Sequence, residues 1–392
     1  MRFGYTDKLK KPGRTLLSTA LVSVIGVTSV EAGQFRDEGL RAPVGYYQIP
    51  EASSSGSYDC EIVEPHRGSM NFTSKYQGSD NARNELNKEA YQAYQEASAT
   101  IRRFEKQVIA TANDYQVDGD GPEARACLID NLNTWAEAGA LMPGDINHVG
   151  QAVRKWALAA AANAYLRVKS SAPENALDSA KVARIEDWFA RVADGVRDYY
   201  TDREPRKVNN HDYWAAWAVM ASAVATDDYG DWQWSLGKFD QAMGQIASDG
   251  YLPKELSRED RALEYHNYAM QPLTLMAVFA EVNQAPVYGQ YQETFELLAQ
   301  NVVDGLEDPS AIERITGHSQ KVEGLSTAWG LAWMRPWAET WGPLPGMEGF
   351  LAEHAPVKNT RLGGDIEFLY RIEPRWPAQG EPHPPGNVRI QY

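Results

Sequence analysis

The sequence holds only two cysteines in 392 residues, no lysine- or arginine-rich run beyond residue 14, and no long apolar run after its first 32 residues. Each shortage excludes something. Two cysteines cannot build a disulfide-dense scaffold or a zinc knot. With 38 Lys and Arg against 53 Asp and Glu, the formal net charge is −15. A phosphate backbone needs a concentrated positive field, so nucleic acid is not an expected partner. The seven histidines form no His-x-x-x-His or His-Glu-x-x-His, and no Gly-x-Gly-x-x-Gly or P-loop occurs, so neither a catalytic metal nor a nucleotide cofactor is expected. Strands are scarce too, since β-branched alternation is hard to find before Asp365 to Tyr370.

What is present begins with an export signal. Arg2, Lys8, Lys10, Lys11 and Arg14 precede a twelve-residue apolar stretch, Leu16 to Val27, and Val30-Glu31-Ala32 supplies a cleavage site before Gly33. Twelve residues are too few to span a bilayer. Removing five cations and two anions with residues 1–32 takes the net charge from −15 to −18. No membrane association is expected after that removal. In an oxidising compartment Cys60 and Cys127 are expected to pair, closing a loop worth roughly 4 kcal/mol on a chain-entropy argument.

Residues 33–70, rich in Gly, Pro and Ser, read as an irregular arm, 71–372 as the main domain, and 373–392 as an extended Pro-rich tail. Apolar recurrence at three to four residues predicts a long helix over 79–113. Others are expected over 124–138, 151–169, 178–200, 211–226, 231–248, 264–284, 290–305 and 325–340. Alanine-rich faces such as Ala157 and Ala159 to Ala162 allow close helix approach. The expected fold is all-α: antiparallel helix hairpins closing partly into an α/α barrel with a concave face.

Two polar clusters do not fit a core. Asn209-Asn210-His211-Asp212-Tyr213-Trp214 opens an apolar helix. Helix capping accounts for the asparagines but not for His211, whose charged form the helix dipole disfavours. The second cluster runs from Arg258 to Tyr268. Arg258 and Tyr265 are spaced to share one helix face, but so are Arg261 and Tyr268, and spacing alone does not choose between the pairs. Together the clusters offer an arginine, an amide, an imidazole and a phenol. That set suits neutralising a carboxylate and then removing the proton from the carbon beside it. Lys75, in Phe72-Thr73-Ser74-Lys75-Tyr76, is a candidate grip for a sugar acid. A glycoside hydrolase, which needs two opposed carboxylates, a non-catalytic polyuronate-binding protein and a lyase acting on another polyuronate are the rival readings.

The run from Asn209 to Trp217, with Arg258 to Tyr268 and the loop Phe72 to Asp80, resembles the periplasmic alginate lyases of polysaccharide lyase family 5. The resemblance implies an incomplete α/α barrel, a periplasmic location, and metal-free β-elimination of poly(β-D-mannuronate) at its 1,4 linkages. It gives Asn210 and Arg258 the neutralisation of the C5 carboxylate, and His211 either the base role or a pairing with that carboxylate. It gives Tyr265 proton donation to O4 and, on the mannuronate epimer where elimination is syn, removal of the C5 proton as an alternative to His211, leaving Arg261 secondary. It places Lys75, Tyr76, Trp214 and Arg261 as substrate contacts. It makes alginate the partner, with association with an export machinery as a further expectation. Asp212 stands where members of the family often carry Ser, which puts an extra charge near an anionic substrate.

Overall fold

The computed structural model describes residues 39–48, 58–76 and 85–371. The expected signal segment, parts of the arm, residues 77–84 and the Pro-rich tail lie outside the described residues. The helices are α1 (Lys88–Ala97), α2 (Ala99–Gln116), α3 (Gly121–Glu137), α4 (His148–Ser171), α5 (Ser179–Thr201), α6 (Asn210–Thr226) and α7 (Tyr229–Met243). They continue as α8 (Pro253–Leu256), α9 (Ala262–Val282), α10 (Val287–Glu307), α11 (Ser310–Thr316), α12 (Met334–Trp341), α13 (Met347–His354) and α14 (Ile366–Tyr370).

Side-chain size sorts them into two layers. In α4 and α6 almost every side chain is buried, and the runs Ala159 to Ala162 and Trp214 to Met220 leave no polar face. Such helices need neighbours all round. They form an inner row in which α4 packs on α2 and α6, and α6 on α9. The outer helices α3, α5, α7 and α10 bury one stripe and close a hairpin with each inner helix. A 3-10 turn, Thr360–Leu362, touches α2, α4 and α9. The architecture is the all-α, incomplete α/α toroid expected from the sequence.

The described part of the arm is held by α3. Cys60 bonds to Cys127, Asn131 accepts the Val63 N–H at 2.9 Å and donates to the Glu61 carbonyl at 2.7 Å, and the Trp135 indole donates to the Val63 carbonyl at 2.9 Å. These anchors recur every four residues and so share one face of α3. The chain then runs to the start of α4, where a Cβ on Gly150 would lie 1.9 Å from the Met70 carbonyl oxygen. Only glycine permits that approach. Asn147 caps α4 and also donates to the Phe72 carbonyl at 2.9 Å, which fixes the loop carrying Lys75 and Tyr76.

Three expectations are corrected. The helix expected over 79–113 is two: at Ser98 the backbone leaves helical geometry, and the Ser98 hydroxyl donates to the Tyr94 carbonyl at 2.7 Å. Serine competes in this way with the helix ladder. Residues 325–333 are turns rather than helix, with Gly324 at φ +77° and Gly330 against the Leu325 carbonyl. Asp365 to Tyr370 is not a strand. Gly364–Asp365 pairs antiparallel with Lys358–Asn359, and then Asp365 caps α14 by accepting the Phe368 N–H at 3.0 Å.

Candidate active site

The N-terminus of α6 is built by a reciprocal cap. The Asn209 side chain accepts the His211 N–H at 2.9 Å, and the Asp212 carboxylate accepts the Asn209 N–H at 3.0 Å. Asp212 is fully buried, accepts from Arg203 at 2.9 Å, and does not line the cavity. The expectation of an extra charge beside the substrate is therefore corrected, because the capping geometry turns this carboxylate inward. Asn210 is also buried. Its backbone N–H and its side-chain amide both donate to Glu255, at 2.9 and 3.0 Å, while its Oδ1 has no partner. His211 follows with Nδ1 3.0 Å from the Lys155 amine. Burial, with Lys155, Arg203, Arg258 and His148 around it, holds the His211 pKa well below the ordinary imidazole value. The ring is neutral at pH 7.

Arg258 and Tyr265 meet, but not along one helix. Arg258 precedes a 3-10 turn, Glu259–Arg261, and α9 begins only at Ala262. The left-handed Glu259, φ +55°, breaks the run. The turn nonetheless brings the Arg258 guanidinium over the Tyr265 ring, 4.4 Å from its centroid. Arg261 forms a two-pronged ion pair with Glu264 and donates to the Tyr76 hydroxyl. The Tyr76 and Tyr265 hydroxyls are 3.2 Å apart. Burial pushes Tyr265 up, as does Tyr76, against Arg258 and Arg261, so Tyr265 keeps its proton. For Tyr76 burial acts upward as well, but Lys75, the Tyr265 hydrogen bond and Arg261 outweigh it and draw the phenol down.

These groups line one cavity of about 440 Å³. It contains Asn210, His211, Arg258, Tyr265, Lys75, Tyr76 and Arg261, which the sequence had singled out from three separate segments. Among the described residues five cations line it, Lys75, Arg102, Arg258, Arg261 and Arg361, against one carboxylate, Glu264, already paired with Arg261. In a protein of net charge −15 this is a local inversion of sign suited to a polyanion. Among the described residues no three His, Cys, Asp or Glu side chains group as metal ligands would.

Trp214 is the site residue that the structure does not bring to the cavity. It is 0% exposed and stacks behind Tyr268, ring centroids 5.0 Å apart, with Trp329 6.0 Å beyond Tyr268 on the cavity lining. The expected direct contact is corrected: Trp214 backs the wall. Pro272 lies inside α9 and lacks the N–H that would bond the Tyr268 carbonyl, and the Trp214 indole donates to that carbonyl at 3.2 Å instead. Sequence reasoning missed Trp329 and Arg361, the latter stacked 4.1 Å over the Trp156 ring and paired with Glu105. Trp329, 40% exposed, carried the one signal available, an exposed tryptophan between two glycine turns.

His266, beside Tyr265, is structural. Its Nε2 accepts the Leu252 N–H at 2.9 Å and its Nδ1 donates to the Ala262 carbonyl at 2.7 Å. Burial lowers its pKa to about 4, against the opposing hydrogen bond to Ala262. Protonation disrupts the acceptor side. The stability that His266 contributes is therefore complete above about pH 6.5 and is lost as pH falls through about 4. The loss amounts to about 3 kcal/mol between pH 7 and pH 4. His211 adds in the same direction, so the check is a difference: urea unfolding at both pH values, with His266→Gln showing the smaller drop. Equal drops in both proteins disprove the assignment.

The comparisons with known proteins bear on the family and the fold. Alginate lyases of Azotobacter vinelandii and Pseudomonas fluorescens Pf-5 are 38% and 37% identical to the chain, over 90% and 89% of its length and 94% and 95% of theirs. The crystal structure of alginate lyase A1-III from Sphingomonas species A1 superposes with a TM-score of 0.70 at 25% identity, covering 86% of this chain and 93% of that one. A variant of that enzyme complexed with a tetrasaccharide superposes at 0.72. The family model described as alginate lyase matches residues 71–312, a span that holds every cavity residue named above except Trp329 and Arg361, and the chain belongs to the alginate lyase family.

Proposed function

We propose that the protein depolymerises alginate by β-elimination at the 1,4 linkage of β-D-mannuronate residues, leaving a 4,5-unsaturated uronate at the new non-reducing end. The observation that carries this reading is the meeting of Asn210, His211, Arg258 and Tyr265 around one cation-rich cavity. Abstraction of a proton beside an ionised carboxylate builds a dianion, so donors that strengthen their bonds in the transition state lower the barrier. Arg258 and the Asn210 amide supply those donors. The C5 proton leaves to a base, the C4–O4 bond breaks as the C4–C5 double bond forms, and Tyr265 gives its proton to O4. A hydrolase reading fares poorly, because among the described residues the one carboxylate on the lining, Glu264, is tied to Arg261 and has no opposed partner.

The export signal read at residues 1–32, together with the Cys60–Cys127 bond, supports a periplasmic location, where association with an alginate export machinery would place the enzyme on straying polymer. Digestion of defined polymannuronate and polyguluronate tests the proposal. The expected result is a rise in near-ultraviolet absorbance, from the new double bond, that is faster on polymannuronate. Saturated ends refute elimination, and faster cleavage of polyguluronate refutes the substrate preference.

A further inference from the structure

A cavity of about 440 Å³ encloses a few sugar residues, so most of a polymer bound there lies outside it. One lining cation marks a way out. Arg102 also borders a second, more open groove of about 340 Å³ along α2. It is pinned where α1 gives way to α2: its Nε donates to the Ser98 hydroxyl at 3.2 Å and its Nη2 to the Gln95 carbonyl at 2.6 Å. From there the groove follows Arg103, Lys106 and Gln107. These positions form the outward stripe of α2, because Ile101, Phe104, Glu105 and Val108 between them are buried. Arg102 and Lys106 are about 6 Å apart along the helix axis. Among the described residues three cations line the groove against one carboxylate, Glu61. Glu105, the only acid of α2 before Asp114, is buried and paired with Arg361 instead. Glu61 pairs with Arg103, but the two side chains are 43% and 66% exposed, and such a pair contributes little. A substrate carboxylate can therefore take the place of Glu61 at small cost.

We propose that the α2 groove is an outer extension of the substrate site, in which Arg103 and Lys106 hold carboxylates of the polyuronate chain that leaves the cavity past Arg102. The inference rests on the lyase reading above for its ligand, and it concerns binding alone. Chemistry belongs to the cavity, whereas the groove adds affinity only when the chain is long enough to reach it. A polyuronate carries one carboxylate on every sugar, so a row of cations on one helix stripe can hold it without recognising a particular ring. The same row shields the outgoing strand from repulsion by a protein of net charge −15. Glu61, beside the Cys60–Cys127 bond, competes with the substrate for Arg103 and sets a limit on that affinity.

The test compares long and short substrates, polymannuronate and trimannuronate, at low and high salt. For Arg103→Glu/Lys106→Glu, KM on the polymer is expected to rise on the order of fivefold or more at low salt, with kcat within about twofold of the parent. High salt should shrink that rise, and KM on the trimer should stay within about twofold. Glu61→Gln is expected to lower KM on the polymer by about twofold, a gain that a damaged fold does not produce. Arg191→Glu/Arg314→Glu has the same net charge as the groove variant and lines neither cavity, and it should leave KM on the polymer within about twofold. An unchanged KM on the polymer, an equal rise on the trimer, or an equal rise in the control pair overturns the proposal. Equilibrium binding of polymannuronate, measured on the slowed Tyr265→Phe protein with and without the groove substitutions, separates this proposal from the lyase reading. Salt-sensitive binding that the groove substitutions weaken, in a protein whose parent releases no unsaturated product, refutes the lyase reading and leaves the groove standing. Product release with a KM that the groove substitutions do not change refutes the groove alone.

Discussion

Tyr265→Phe is expected to lower turnover on the order of 10²-fold or more while KM moves by less than a few-fold. The substitution removes one oxygen and little else. The ring beneath the Arg258 guanidinium stays, so the stacking at 4.4 Å survives, and the lost partner is the Tyr76 hydroxyl at 3.2 Å. Folding should therefore be nearly unaffected, and circular dichroism with thermal unfolding will confirm an intact protein. What disappears is the group that returns a proton to O4, without which the leaving oxygen departs as an alkoxide. Initial rates on polymannuronate, followed by the absorbance of the unsaturated product, give the number. A variant within threefold of the parent would remove Tyr265 from the proton transfer.

Arg258→Ala is expected to reduce kcat and kcat/KM together, again on the order of 10²-fold. If the guanidinium bound the ground-state carboxylate and the transition state equally, KM alone would rise. A donor that strengthens as the second negative charge develops acts on turnover. Arg258→Lys separates charge from shape: it keeps the cation but loses the planar fork that lies over Tyr265, and should recover only part of the loss. Steady-state kinetics of both variants decide the matter, and an effect confined to KM would make Arg258 a uniform binder.

How much of this was legible beforehand depended on whether a residue's purpose is written in its neighbours along the chain. His211 stood out because an imidazole at the mouth of an apolar helix has no packing role, and the cap at Asn209 behaves as the local sequence requires. The pairing of Arg258 with Tyr265 rested on resemblance, since Arg261 and Tyr268 have the same spacing. The structure reaches the pairing through a 3-10 turn that helical periodicity does not foresee. Arg361 was invisible because it arrives from a turn late in the chain where no period marks it, and Trp329 was misplaced because the helical period read over 325–340 begins in what is a run of turns. Lys155 was hidden inside an alanine-rich run, and only three-dimensional proximity shows that its amine reaches another helix. Ser98 shows the limit at the smallest scale, where one hydroxyl diverts the backbone of a run otherwise periodic.

The proline in α9 has a consequence beyond the placement of one indole. By withholding a single hydrogen it exports an acceptor sideways, so the helix bearing the phenol and the helix bearing the imidazole are fastened to each other within their first two turns. Pro272→Ala would give that acceptor a donor from its own spiral, which the indole would then have to share. One tie between the two sides of the reaction chamber would weaken while the phenol's helix became more regular, the packing of one helix on the other remaining.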